Sequence, residues 1–175
     1  MTKVTVSVMV ALIVAVTGCS DKGASPSSRA SDAANATSSM LIVPRASVGK
    51  VRAGMTPAEV IAELGEPQTK QGKILNYVRS GFSVIPGKDG VVAVVMCGDP
   101  SSLSSPLVKA FTGRTADGIG MRSTRDAVVK AFGTPDETDS PEPGHERLKY
   151  TEPGLAFILE DNKVHHITVN LRAAK

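Results

Sequence analysis

Two stretches of this 175-residue chain can be laid one over the other, and that match limits the fold more than any other feature. Gly54-Met55-Thr56-Pro57-Ala58-Glu59-Val60-Ile61-Ala62-Glu63-Leu64-Gly65-Glu66-Pro67 aligns with Arg122-Ser123-Thr124-Arg125-Asp126-Ala127-Val128-Val129-Lys130-Ala131-Phe132-Gly133-Thr134-Pro135. The threonine, the paired β-branched residues, a large apolar residue, the glycine and the proline coincide. After a longer loop in the second copy the match resumes. Tyr77 meets Tyr150, Gly81 meets Gly154, Phe82 meets Leu155, Ile85 meets Ile158, Val91 meets Val164 and Val94 meets Ile167. A helix block and a strand block recurring in the same order point to two tandem copies.

Each copy reads as a short helix followed by a small meander. Thr56 is an N-cap, Pro57 occupies the first helical position and Glu59 completes a capping box. Val60, Ile61 and Leu64 make the apolar stripe, Gly65 ends the helix and Pro67 forbids its continuation. In the second copy Ser123 or Thr124 caps, Val128, Val129 and Phe132 form the stripe, and Gly133 and Pro135 stop it. Helices this short need an apolar surface to lie on. Strand-like runs supply it: Ile74 to Val78, Phe82 to Ile85 and Val91 to Met96, then Arg147 to Thr151, Leu155 to Glu160 and Val164 to Arg172. In the last run Ile167, Val169 and Leu171 alternate with His166, Thr168 and Asn170, which predicts one buried and one wet face. Leu107 to Phe111 joins the copies as either helix or strand. The expected fold class is α+β: two tandem repeats, residues 40–98 and 99–175, each a short helical segment plus a small antiparallel sheet.

The N-terminus carries an address. Met1 to Lys3 is short and basic, and Val4 to Val16 is apolar except for Thr5 and Ser7. The run is shorter than the about 20 residues that span a bilayer and fits the apolar core of a signal peptide, residues 1–18. Val16-Thr17-Gly18-Cys19 resembles the lipobox of bacterial lipoproteins, in which small residues precede a cysteine whose thiol is acylated. The resemblance implies cleavage before Cys19 and a membrane anchor, palmitate or a similar acyl chain, on it. Ser20 to Ser39 has no large apolar residue. It is expected to be a disordered tether of about 20 residues reaching on the order of 25 Å. Ser20 is not the aspartate that retains such proteins in the inner membrane of enteric-type bacteria. The expected location is therefore the cell envelope, on the outer membrane facing the periplasm if the host has one.

The helix block ending Leu64-Gly65-Glu66-Pro67, followed by strands, resembles the SmpA/OmlA (BamE) lipoproteins, accessory members of the outer-membrane β-barrel assembly machinery. Its tandem form resembles the β-lactamase inhibitory protein fold, in which two helix-plus-sheet repeats present a concave binding sheet. The resemblance covers Val48 to Met96 and Gly118 to Val169. It implies a protein-binding role and assigns no individual residue. An inhibitor of this fold relies on aromatic anchors, whereas this chain has no Trp and two Tyr.

Chemistry-bearing residues are few. Adjacent strand residues point to opposite faces, so His165 and His166 are expected to part company and not to share an ion. Asp136, Glu137, Asp139 and Glu142 lack the ligand spacing of a calcium loop. Cys97 could pair with a histidine as a nucleophile, but nothing in the spacing requires it. Aligned with Asn170, it reads as a lone, partly exposed thiol. Gly118-x-Gly120 reads as the turn before the second helix, and no phosphate loop, Gly-x-Ser-x-Gly or His-Glu-x-x-His occurs. The net charge of +3 falls close to balance once Lys3, Lys22, Arg29, Asp21 and Asp32 are set aside, and no basic run argues for nucleic acid. No cofactor, metal or small-molecule substrate is expected.

One feature leans towards binding. Val92, Val94 and Met96 should lie on one face of their strand, and Val91, Ala93, Val95 and Cys97 on the other. A core needs only one apolar face. Either Val91, Ala93 and Val95 dock a partner, or the strand is central and covered on both sides. The expectation is a non-enzymatic, lipid-anchored envelope module that binds an envelope protein, in outer-membrane assembly or envelope integrity. The alternative is a periplasmic inhibitor or sensor of a soluble protein.

Overall fold

The computed structural model describes residues 40–99 and 107–172; the expected signal peptide, the expected lipidation site Cys19 and the expected tether lie outside the described residues. The chain opens with three short strands, β1 (Leu41–Val43), β2 (Ser47–Val48) and β3 (Val51–Arg52), and then forms helix α1 (Pro57–Leu64). Next come β4 (Thr69–Gln71), β5 (Ile74–Tyr77), β6 (Phe82–Pro86) and β7 (Val92–Gly98). After β8 (Arg114–Thr115) and helix α2 (Arg125–Phe132), the chain ends in β9 (Glu137–Asp139), β10 (His145–Tyr150), β11 (Leu155–Glu160) and β12 (Lys163–Asn170).

These strands form two sheets. The larger has eight strands in the order β4-β5-β6-β7-β12-β11-β10-β9, and the smaller has four in the order β3-β2-β1-β8. The large sheet is antiparallel throughout. This overturns the α+β expectation of two tandem helix-plus-sheet units. The chain is mostly β, with 42% strand against 13% helix among the described residues. The strands expected to make two small sheets make one, because β7 and β12 pair from His166↔Gly98 to Asn170↔Val94. Left apart, each would be an apolar edge with unpaired N–H and C=O groups, and joining them removes both edges. The edges that remain, β4 and β9, are short and wholly exposed. The small sheet, including the parallel pairing of β1 with β8, had no expectation attached to it. Its strands of two or three residues are too short to show a periodicity.

The helices end where their caps dictate. Thr56 Oγ1 accepts the Glu59 N–H at 3.3 Å while Glu59 Oε2 accepts the Thr56 N–H at 2.7 Å. Thr124, rather than Ser123, caps α2 by accepting the Ala127 N–H at 3.2 Å. Each helix is then tied down by a tyrosine. Tyr77 donates its hydroxyl to the Gly65 carbonyl at 3.0 Å, and Tyr150 donates to the Gly133 carbonyl at 3.1 Å.

The core lies on one face of the large sheet. Two rows of side chains run across it: Leu75, Val84, Val95, Val169, Leu155 and Tyr150, then Tyr77, Phe82, Cys97, Ile167, Phe157 and Leu148. All twelve are buried. Val60 of α1, Val128 of α2 and Ile42, Val48 and Val51 of the small sheet belong to the same cluster. The segment from 107 to 111, expected as helix or strand, is neither. It runs irregularly across the end of the sheet, with the Lys109 N–H bonded to the Val78 carbonyl and the Phe111 N–H to that of Gly98. Phe111 meets Phe82 edge-on at 6.2 Å. Only glycine fits beneath it, since a Cβ on Gly81 would stand 2.2 Å from the Phe111 nitrogen.

Candidate functional site: the open face of the large sheet

The opposite face of the same strands has no such cover. One row crosses all eight strands: Thr69, Asn76, Ser83, Met96, Thr168, Ala156, Lys149 and Glu137. None of these is buried. Ile85 and Val94 flank Met96 on one side, and Ile158 lies two residues from Ala156 on the other, while Ser83 and Thr168 are the cross-strand neighbours of Met96, so the middle of the face mixes apolar and polar side chains. Met96 is 38% exposed, unusual for a large apolar side chain at the centre of a sheet.

Towards β10 the face deepens into a groove of about 660 Å³, floored by Met96, Thr168, Ala156 and Ile158 and rimmed by Arg45, Arg147 and Lys149. Arg147 pairs with Asp139 through two hydrogen bonds and Lys149 pairs with Glu137 at 2.7 Å, all four side chains being partly exposed. Arg45, in the β1–β2 turn, reaches over and donates to the carbonyls of Thr151, Glu152 and Arg172. A smaller hollow of about 260 Å³ lies at the other end, between β6, β7 and the crossing segment, and includes Met96, Asp99, Lys109, His165 and His166. Asp99 makes an ion pair of 2.8 Å with Arg122.

The three residues expected to dock do not form one surface. Val95 is fully buried in the core, and Val91 and Ala93 are half-buried. The alternation breaks at a bulge: Ile85 pairs with Val94 but Pro86 with Val92, which leaves Ala93 as an extra residue. The extra residue lets Val92 and Val95 both face the core and puts Val94 and Met96 on the open side. The same happens in β12, where Ile158 pairs with His166 but Leu159 with Val164, making His165 the extra residue. Each bulged residue offers its carbonyl elsewhere, Ala93 to the Leu171 N–H at 2.9 Å and His165 to the Asp99 N–H at 2.9 Å.

The bulge also corrects the reading of the histidines. His165 and His166 do not point apart. Their rings pack edge-on at 4.5 Å, with His145 at 6.1 Å from His165. His165 is buried, and its Nδ1 lies 3.4 Å from Glu160 Oε2 without a well-directed hydrogen bond. Burial, then the charges of His165 and His145, hold the His166 imidazole below its ordinary pKa against the pull of Asp99 and Glu142. Among the described residues no three His, Cys, Asp or Glu are disposed to hold a metal ion. Cys97 is not partly exposed but fully buried, and burial pushes its thiol far up. A neutral thiol inside the core is a packing group, not a nucleophile. Among the described residues no helix is long and apolar enough to cross a membrane.

No protein-family model matches the chain, and no curated protein matches it. A solved structure, that of a DUF4309 family protein (YjgB) from Bacillus subtilis, resembles it with a TM-score of 0.48 at 16% identity, over 71% of this chain and 84% of that one. A likeness this distant fixes no function.

Proposed function

We propose that the chain is a lipid-anchored module of the bacterial envelope that binds another envelope protein through the open face of its large sheet. The observation that carries this is exposed Met96 with half-buried Ile85, Val94, Ala156 and Ile158 around it, on a sheet whose other face is already filled by two helices and a second sheet. A sheet needs one covered face to fold. Apolar side chains kept on the second face serve something other than the core. The lipobox-like Val16-Thr17-Gly18-Cys19 supplies the anchor, and the residues after it supply the reach. No enzyme activity is part of the reading. Assistance to outer-membrane assembly, which the SmpA/OmlA resemblance implies, is the form of it we favour. The inhibitor alternative called for aromatic residues on the binding face. All six Phe and Tyr instead pack into or against the covered core.

A photoreactive residue in place of Met96, with one at exposed Ala62 on α1 as control, tests the docking face in cells of the native host. Crosslinks to one identified envelope protein from position 96 and not from 62 are the expected result. Equal crosslinking, or none, removes the docking face. Cys19→Ser should abolish incorporation of labelled palmitate and release the protein from membranes; a variant that still sediments with membranes removes the anchor.

A further inference from the structure

Building on that docking reading, we infer that the groove beside Met96 takes an acidic, partly apolar segment of a protein partner laid across the strands. Its rim holds three cations, Arg45, Arg147 and Lys149, and its lining holds no carboxylate.

The three cations are not equivalent. Arg45 spends its guanidinium N–H groups on three backbone carbonyls. Carbonyls orient a guanidinium but do not cancel its charge, and among the described residues no carboxylate pairs with it. A fixed, uncompensated positive charge therefore stands at one end of the groove. Arg147 and Lys149 are compensated, but by Asp139 and Glu137 on the exposed edge strand β9. The Lys149–Glu137 pair is a single exposed contact and contributes little, whereas Arg147 holds Asp139 through two hydrogen bonds. A carboxylate arriving in the groove can take over Lys149 at small cost, while the apolar part of the same segment covers Met96, Ala156 and Ile158.

The dimensions suit an extended peptide. From β7 through β12 and β11 to β10 is three strand spacings, about 14 Å, which about four extended residues cover. The floor carries Met96, Ala156 and Ile158 with Thr168 between Met96 and Ala156, so the occupant carries both a carboxylate and an apolar side chain within that length.

The test uses the full chain and three fluorescent probes read by anisotropy: a peptide of alternating Glu and Leu, the same peptide with Gln for Glu, and with Lys for Glu. The acidic peptide should bind about tenfold or more tightly than the Gln peptide, a difference that shrinks as salt screens the charges. The double variant Arg147→Glu with Lys149→Glu should lose the acidic peptide and gain the Lys peptide. That gain shows the variant is folded. Equal binding of the Glu and Gln peptides, or none of either, overturns the inference. So does binding to phosphatidylglycerol vesicles in place of the acidic peptide. Crosslinking from position 96 separates the two readings: a partner crosslinked there while the Glu and Gln peptides bind alike leaves docking intact and discards only the charge preference.

Discussion

The two faces of the large sheet are made by the same strands, and they differ in residues and in cover. On β7, Val95 and Cys97 are sealed in the core while Val94 and Met96, each next to Val95, stand on the open side. The open face also carries apolar side chains in its middle, Ile85, Val94, Met96, Ala156 and Ile158, set among Ser83, His166, Thr168 and Asn170. What separates these from the core residues is cover: α1, α2 and the small sheet lie on one face and not on the other. Apolar composition alone does not tell a core face from a binding face. The presence of a packed partner does.

The sharpest way to break that contrast is to remove a large side chain from the covered face. Phe157 is fully buried and contacts Phe132 at 5.4 Å and Tyr150 at 6.0 Å. Phe157→Ala should cost about 3–5 kcal/mol in urea unfolding, a large share of the stability of a domain this size. A cost below about 1 kcal/mol would mean that α2 is not held by the sheet.

A paired measurement then tests the faces directly. Val95→Ala empties space in the core and should cost about 2 kcal/mol. Met96→Ala, one residue on, should change stability by less than about 0.5 kcal/mol, while weakening crosslinking or peptide binding at the groove. Similar costs for the two would show that the open face is packed after all.

How much of this was legible in the sequence depended on whether a local group decided it. The helix ends were, because Thr56, Glu59, Gly65 and Thr124 act on backbone groups within four residues of themselves. The strand runs were legible for the same reason, and in β12 the alternation of Ile167, Val169 and Leu171 with His166, Thr168 and Asn170 holds. The site was not. Aligning Val91 with Val164 sets Cys97 on Asn170 and hence on the wet face. The bulges instead match Ala93 with His165, which sets Cys97 on Val169, fully buried. A slip of one residue moves every side chain of a strand to the other face, and so Val95, expected on the docking face, is buried in the core while Met96 stands on the open side. The joining of the two halves through β7 and β12 was hidden too, because pairing between strands distant in sequence leaves no local pattern. The cationic rim is hidden for the same reason: Arg45 reaches Thr151 across more than a hundred residues of chain.

The smallest expected effect concerns the one stretch where the two hairpins differ in chemistry. At the bulge of β7 stand Ala93 and Val94; at the bulge of β12 stand His165 and His166. His166 is held below its ordinary pKa, first by burial and then by His165 and His145, with Asp99 and Glu142 opposing. An imidazole that resists protonation in the folded chain binds its proton more readily when the chain unfolds. Between the unfolded value near 6.5 and the lower folded one, the unfolded state therefore carries more protons. Stability should be full above about pH 6.5 and fall as the pH drops through the folded pKa, then level off. Glu59 adds a separate loss at lower pH. The Thr56 backbone and side-chain hydrogen bonds hold its carboxylate below the ordinary value, so its contribution is present above about 4.3 and is lost as the pH falls through its folded pKa. Urea unfolding across pH 3.5 to 8 separates the two limbs. His166→Gln should flatten the upper limb and leave the lower, and Glu59→Gln should do the reverse. An upper limb that survives in His166→Gln would assign the slope to another group and end the view that the β12 bulge, unlike the β7 bulge, makes its end of the sheet sensitive to acid.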